Sequence, residues 1–171
     1  MDVHEAIKQR KSIRTYKNDP IPENKLQKVL EAARLAPSAS NQQQWKFVVV
    51  RDEAKRKQLS IAANGQPHVA KAPVVIAGVA MDVDRVMMCG IHTYPIDLAI
   101  AIDHITLAAV NEGLGTCWIG AFSQDLARKV IGLPDKYTIV GLLPLGFPAE
   151  EGRTKSRKTL DEIVCYDTFS E

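Results

Sequence analysis

The sequence predicts a single mixed α/β domain, on three observations. Its 171 residues match one ordinary domain, and 46% apolar with 25% charged residues is a globular balance. Segments with helical periodicity alternate with short, apolar, β-branched runs. No internal repeat or low-complexity linker divides them, so one layered core is expected.

"DVHEAIKQRK" reads as a short helix, with Asp2 as N-cap and Glu5 three residues on, as in a capping box. Val3, Ala6 and Ile7 form its apolar stripe, and Arg10 and Arg14 continue it at helical spacing. Arg10, Ser12 and Arg14 also stand two apart, with Lys11 and Ile13 pointing elsewhere. "PENKLQKVLEAARLAPS" is a second helix: Pro22 suits its first position, and Leu26, Val29, Leu30 and Ala33 repeat at i, i+3, i+4, i+7. Pro37 ends it, because a proline disfavours helical backbone in the residue before it. A polar run from Ser38 to Gln44 leads into the strand "WKFVVVRD".

"RDEAKRKQLSIAANG" is helical, with Gly65 near its end, and "APVVIAGVAM" is a strand buried on both faces. Residues 81–95 have no clear period, which fits a mobile segment or lid. Pro95 to Asn111 is a helix apolar nearly all round, as in a core or a subunit interface. Asp97, Asp103 and His104 interrupt it, so no membrane span is expected. "GLGTCWIGAFS" follows, then a short helix "SQDLARKVIGLP" capped by Ser123, and the strand "YTIVGLLPLG". The tail, 147–171, is charged and has few core positions, so it needs tying down. Its Phe147, Ile163, Val164, Tyr166 and Phe169 suit docking on a partner subunit, and a homodimer is expected.

The formal net charge of +2 gives no reason to expect nucleic acid. Three cysteines without CxxC spacing argue against a disulfide framework or zinc site, and a reducing cytoplasm fits. "MDVHEAIKQRK" has no apolar h-region, so no signal peptide and a soluble protein are expected. His68, His92 and His104 lack ligand spacing with carboxylates, so no metal site is expected. Cys89 and Cys117 read as inert thiols, and no nucleophile elbow, P-loop or GxGxxG pattern is present.

Four constellations carry chemistry. Arg10–Lys11–Ser12–Ile13–Arg14 can hold phosphate through bidentate guanidinium groups and a hydroxyl, or be a solvated basic helix end. "APSASNQQQW", residues 36–45, offers consecutive amides that suit a heterocycle edge, or satisfy local backbone. In "GLGTCWIGAF" the two glycines read first as a helix end. "RTKSRKT", 153–159, is a second basic cluster that fits either phosphate or a charged tail. Two basic clusters at opposite ends of a nearly neutral chain favour one shared anion.

In order, "RKSIRTY", "LEAARLAPSASNQQQWKFVVV", "AKAPVVIAGVA", "AAVNEGLGTCWIGAF" and "LPLGFPAEEGRTKSR" resemble the FMN-dependent nitroreductase family over nearly the whole chain. The resemblance implies an α+β three-layer sandwich around a mostly antiparallel sheet, forming an intertwined homodimer with two FMN sites at its interface. Arg10, Ser12 and Arg14 then match FMN phosphate and ribityl contacts, with Lys11 contributing backbone. Pro37, Ser38, Ala39, Ser40 and Asn41 match a stretch that reaches the flavin from the other subunit. Ile119, Gly120 and Ala121 match the stretch whose N–H groups face flavin N5, Gln66 the pyrimidine edge, and Lys155 and Arg157 the C-terminal phosphate contacts.

NADH or NADPH is the implied donor, an electron-poor small molecule the implied acceptor, and no side-chain nucleophile is required. The chain is short for the family, and residues 81–95 stand where longer relatives insert substrate-covering helices. Two rival outcomes remain open: a flavin protein that fragments its flavin or dehalogenates reductively, and an anion- or partner-binding module without redox chemistry.

Overall fold

A computed structural model describes all 171 residues, Met1–Glu171. Four strands, β1 (Trp45–Val50), β2 (Val74–Ala80), β3 (Gly115–Thr116) and β4 (Thr138–Gly146), form one antiparallel sheet in the order β1-β2-β4-β3. Six helices surround it: α1 (Val3–Gln9), α2 (Glu23–Arg34), α3 (Glu53–Ala62), α4 (Pro67–Lys71), α5 (Thr93–Asn111) and α6 (Gln124–Ile131).

The three-layer sandwich follows from the alternation of β2. Val75, Ala77 and Val79 pack with Leu59, Ala62, Val69 and Ala127 of α3, α4 and α6 on one face. Val74 and Ile76 pack with Leu26, Val29, Ile102 and Ile105 of α2 and α5 on the other. Period-two side chains thus feed two cores, and all seven residues of β2 are buried, as its unbroken apolar run requires. α5 is long and apolar enough to cross a bilayer by length and composition. Here it is the central helix of one outer layer, with Leu98, Ala101, Ile102, Ile105 and Ala109 buried.

Local signals placed most ends correctly. Asp2 caps α1 by accepting from the Glu5 N–H at 2.9 Å, and Ser123 Oγ accepts from the Leu126 N–H at 3.4 Å. Pro22 is the N-cap of α2, one position earlier than its usual helical place. α5 starts at Thr93, two residues before Pro95, and Gly113 (φ +75°) follows its C-cap in the left-handed conformation that glycine allows.

Two expectations are corrected. α1 stops at Gln9, and Arg10 leaves it with extended backbone, so Arg10 and Arg14 do not share a helix face. Of the stripe on α1 only Ala6 is buried within the protomer, while Val3 and Ile7 are exposed. Residues 81–92 form a turn closed by a Val86–His92 bridge, with Asp82 Oδ1 accepting from the Asp84 and Arg85 N–H groups, so the segment has defined local structure.

Candidate functional site

Residues 10–17 form an extended strap along the sheet edge. Ser12 pairs in parallel with Thr116, and the Ile13 N–H donates to Thr116 O at 2.8 Å. The Lys17 N–H donates to Phe147 O and the Ala149 N–H to Thr15 O, both at 2.9 Å, which lays the start of the tail beside the strap. Tyr16 fastens this corner: its hydroxyl donates to Ile13 O at 2.8 Å and Pro144 O at 3.3 Å, and burial pushes its phenol well above the usual range.

The strap buries Ile13 and leaves Arg14 exposed and Ser12 half-buried. Two glycines permit the fit. A Cβ on Gly115 would lie 2.8 Å from Ile13 Cβ, and one on Gly152 would lie 2.8 Å from Lys11 Cβ and 3.1 Å from Ser12 O. The role of Gly115 is therefore to let the Ile13 side chain of the strap pack against the sheet edge, not the helix end that Gly113 supplies.

This docking brings the two basic clusters together. Arg10, Lys11, Ser12, Thr154, Lys155 and Arg157 line one cleft of about 360 Å³, with Lys8 and Arg153. Ser12 and Arg153 also line an adjoining cleft of about 420 Å³ that contains Arg14. Arg14 acts on a buried group as well: burial, and then its positive charge, lower the His68 pKa. Burial raises the Cys117 thiol against the opposing influence of Arg14, Ser12 and Lys155, which disfavours its thiolate. Arg10, Lys11, Ser12, Lys155 and Arg157 thus share one site, with Arg14 next door.

Gln66 and the 119–121 stretch also meet, since the Gln66 amide donates to Ala121 O at 3.4 Å. The Ile119 N–H is committed to Leu142 O at 2.9 Å, so only the Gly120 and Ala121 N–H groups are without a protein acceptor. Of the three residues expected to present backbone donors, two can do so.

The 37–41 loop lies elsewhere in the protomer. The Ala39 N–H donates to Asp97 Oδ1 at 3.0 Å, near the start of α5, whereas the large cleft beside Lys11 reaches Val110 and Gly113 at its end. Thirteen helical residues separate Asp97 from Val110, about 20 Å at the helical rise. One protomer therefore does not bring Pro37, Ser38, Ala39, Ser40 and Asn41 to the basic cleft. Much of the loop's polarity is spent locally: Ser38 Oγ accepts from the Gln43 N–H at 2.9 Å, and the Gln43 amide donates to Asn41 Oδ1 at 3.2 Å. Ser40 (φ +51°), Asn41 (φ +54°) and Gln43 (φ +52°) hold left-handed backbone, and Arg85 donates to Ser40 Oγ at 3.0 Å.

Lys8 and His68 had not been assigned from the sequence, and Arg153 only as a member of the 153–159 basic cluster. Lys8 and Arg153 are ordinary surface cations until the strap folds back. His68 is buried with Nε2 unpartnered, on a helix of five residues, too short for a period to reveal which face is covered.

Residues 7–147 match the model of the nitroreductase family. An NADH dehydrogenase of Thermus thermophilus is 34% identical over 97% of this chain and 96% of its own length. An FMN reductase [NAD(P)H] of Bacillus subtilis is 29% identical over 98% of this chain and 74% of its own. The crystal structure of a nitroreductase family protein from Clostridium difficile 630 superposes with a TM-score of 0.88 at 32% identity, covering 99% of this chain and all of that one.

Proposed function

This chain belongs to the nitroreductase family, and from that premise we propose that it is an NAD(P)H-dependent FMN oxidoreductase that reduces small, electron-poor acceptors such as nitro compounds or quinones. The observation that carries the proposal is the convergence of two basic clusters, from opposite ends of the chain, on Ser12. The donor set suits a phosphate monoester: guanidinium, ammonium and hydroxyl groups with no carboxylate in the lining.

Bound FMN supplies a hydride-accepting N5 and a ring that returns the electrons to an acceptor. Arg10, Ser12, Lys155 and Arg157 would hold its terminal phosphate, and Arg14 would supply positive charge in the adjoining cleft. The free N–H groups of Gly120 and Ala121 would be available to the reacting edge, and the Gln66 amide to the pyrimidine edge. A preorganised donor of this kind contributes up to about 3 kcal/mol where negative charge develops. Gly120 and Ala121 are exposed in the protomer, so bound flavin and a second protomer would have to exclude the water. No acid–base dyad is needed.

A homodimer completes the site in this reading, because only a second protomer can bring a 37–41 loop to the cleft. Its support is exposed apolar surface: Val3 and Ile7 on α1, Ile96 on α5, and Leu160, Ile163, Val164, Tyr166 and Phe169 of the tail. The free state of Cys89, Cys117 and Cys165 supports a reducing, cytoplasmic setting.

The test is the visible spectrum of the purified protein after incubation with FMN, then NADH or NADPH under argon. A flavin spectrum that bleaches with donor and recovers with a quinone or nitroaromatic is expected. A protein that stays colourless refutes the proposal, and flavin consumed on reoxygenation replaces it with flavin fragmentation.

A further inference from the structure

We propose that the basic cleft holds two anionic groups at once: the flavin's terminal phosphate, and a phosphate of the dinucleotide that donates the electrons. This rests on the flavin reductase reading above.

The charge count motivates it. Six cations, Lys8, Arg10, Lys11, Arg153, Lys155 and Arg157, line one cleft whose lining contains no acid. A phosphate monoester carries a charge near −2, so one such group leaves most of this charge unbalanced. Cations without a carboxylate partner also occur elsewhere, among them Lys46, Lys55, Lys71, Arg85 and Lys136. What sets the cleft apart is the convergence of six on one acid-free lining. Lys25, Lys28, Arg34, Arg51, Lys57 and Arg128 each have a carboxylate within ion-pair range. Of the six in the cleft only Lys11 does, through Glu151 at 3.9 Å.

The whole chain carries only +2, so everything outside this cleft is net acidic. Concentrating like charge costs free energy unless something anionic offsets it. The cleft's size, about 360 Å³, lies in the range that encloses part of an organic ligand and not one small ion. Ser12 and Arg153 join it to the cleft of Arg14, whose lining also carries Glu150 and Glu151, so a second phosphate is favoured on the acid-free side. Arg10, Lys155 and Arg157 suffice for the flavin phosphate, which leaves Lys8 and Arg153 for the donor.

The experiment uses FMN-loaded protein and the non-reducing probes NADP+ and NAD+, titrated calorimetrically at low and high KCl. The variant Lys8→Ala/Arg153→Ala should retain FMN at the wild-type stoichiometry. It should bind NADP+ about tenfold more weakly, the scale of one charged hydrogen bond, with a shallower salt dependence. Equal weakening of NAD+ assigns the pyrophosphate; weakening of NADP+ alone assigns the 2′-phosphate; either supports the proposal. Unchanged NADP+ affinity with FMN retained overturns it, and so does parallel loss of FMN, which would place both residues on the flavin. Should the variant not fold, inorganic pyrophosphate must compete with NADP+ on the wild-type holoprotein, and absence of competition overturns the proposal. A wild-type protein that cannot be loaded with FMN instead sinks the reading beneath it.

Discussion

Gly115→Ala tests whether the strap positions the cofactor site. The new methyl would stand 2.8 Å from Ile13 Cβ and 3.0 Å from Ile13 Cγ2. Comfortable carbon contacts begin near 3.5 Å, so one backbone must retreat by roughly half an ångström to 1 Å. Ile13 is buried and its N–H is bonded to Thr116 O, so the strap is the part that moves. Overpacking of this kind costs about 1–3 kcal/mol, and each kcal/mol lowers Tm by about 2–4 °C at this chain length. Ser12 is displaced with Ile13, so FMN affinity should fall about tenfold or more. Thermal melts of the flavin-free protein read the first effect, and flavin fluorescence titration the second. The double variant Gly115→Ala/Ile13→Ala removes Cγ1 and Cγ2 and should recover part of both, giving a favourable coupling in the cycle. A Gly115→Ala protein with wild-type Tm and wild-type flavin affinity would show that the strap does not set the site.

Arg14→Ala should weaken FMN retention at unchanged fold, since Arg14 is exposed; unaltered affinity in a fluorescence titration removes Arg14 from the site. Asp97→Ala leaves the Ala39 N–H without its acceptor and should cost about 1–3 kcal/mol in urea melts. Asp97→Asn keeps an acceptor oxygen and should be milder; equal losses contradict the hydrogen-bond explanation. Burial and Arg14 depress the His68 pKa, so the folded protein resists a proton that the unfolded chain accepts below about 6.5. The stability that neutral His68 contributes is complete above that pH and is lost as the pH falls toward the depressed value. His68→Leu should flatten this acid-side slope in denaturant melts at pH 7.5 and 5.5; a slope identical to wild type counts against it.

What the sequence revealed depended on the range of the signal. Asp2 and Ser123 cap as expected because caps act over three residues. β2 was legible because seven successive apolar residues can be buried only between two layers. The strap was misread at Arg14 because residues four apart fit a helix as well as residues two apart fit a strand. The parallel partner at Thr116, about a hundred positions away, decided for the strand. α4, between Pro67 and Pro73, was missed because five residues do not establish a period. Lys155 and Arg157 were placed by resemblance, Arg153 belonged to the same basic cluster, and only the folded chain shows Lys8 beside them.

The bonds from Lys17 to Phe147 and from Ala149 to Thr15 join segments near the two ends of the chain. Closing a loop of roughly 130 residues costs about 4 kcal/mol of chain entropy, so these contacts belong to the late stages of folding. A ligand gripped by both Arg10 and Arg157 acts as a clasp on that loop. Loading should therefore slow amide exchange at Lys17 and Ala149, far along the chain from each other, by a common factor.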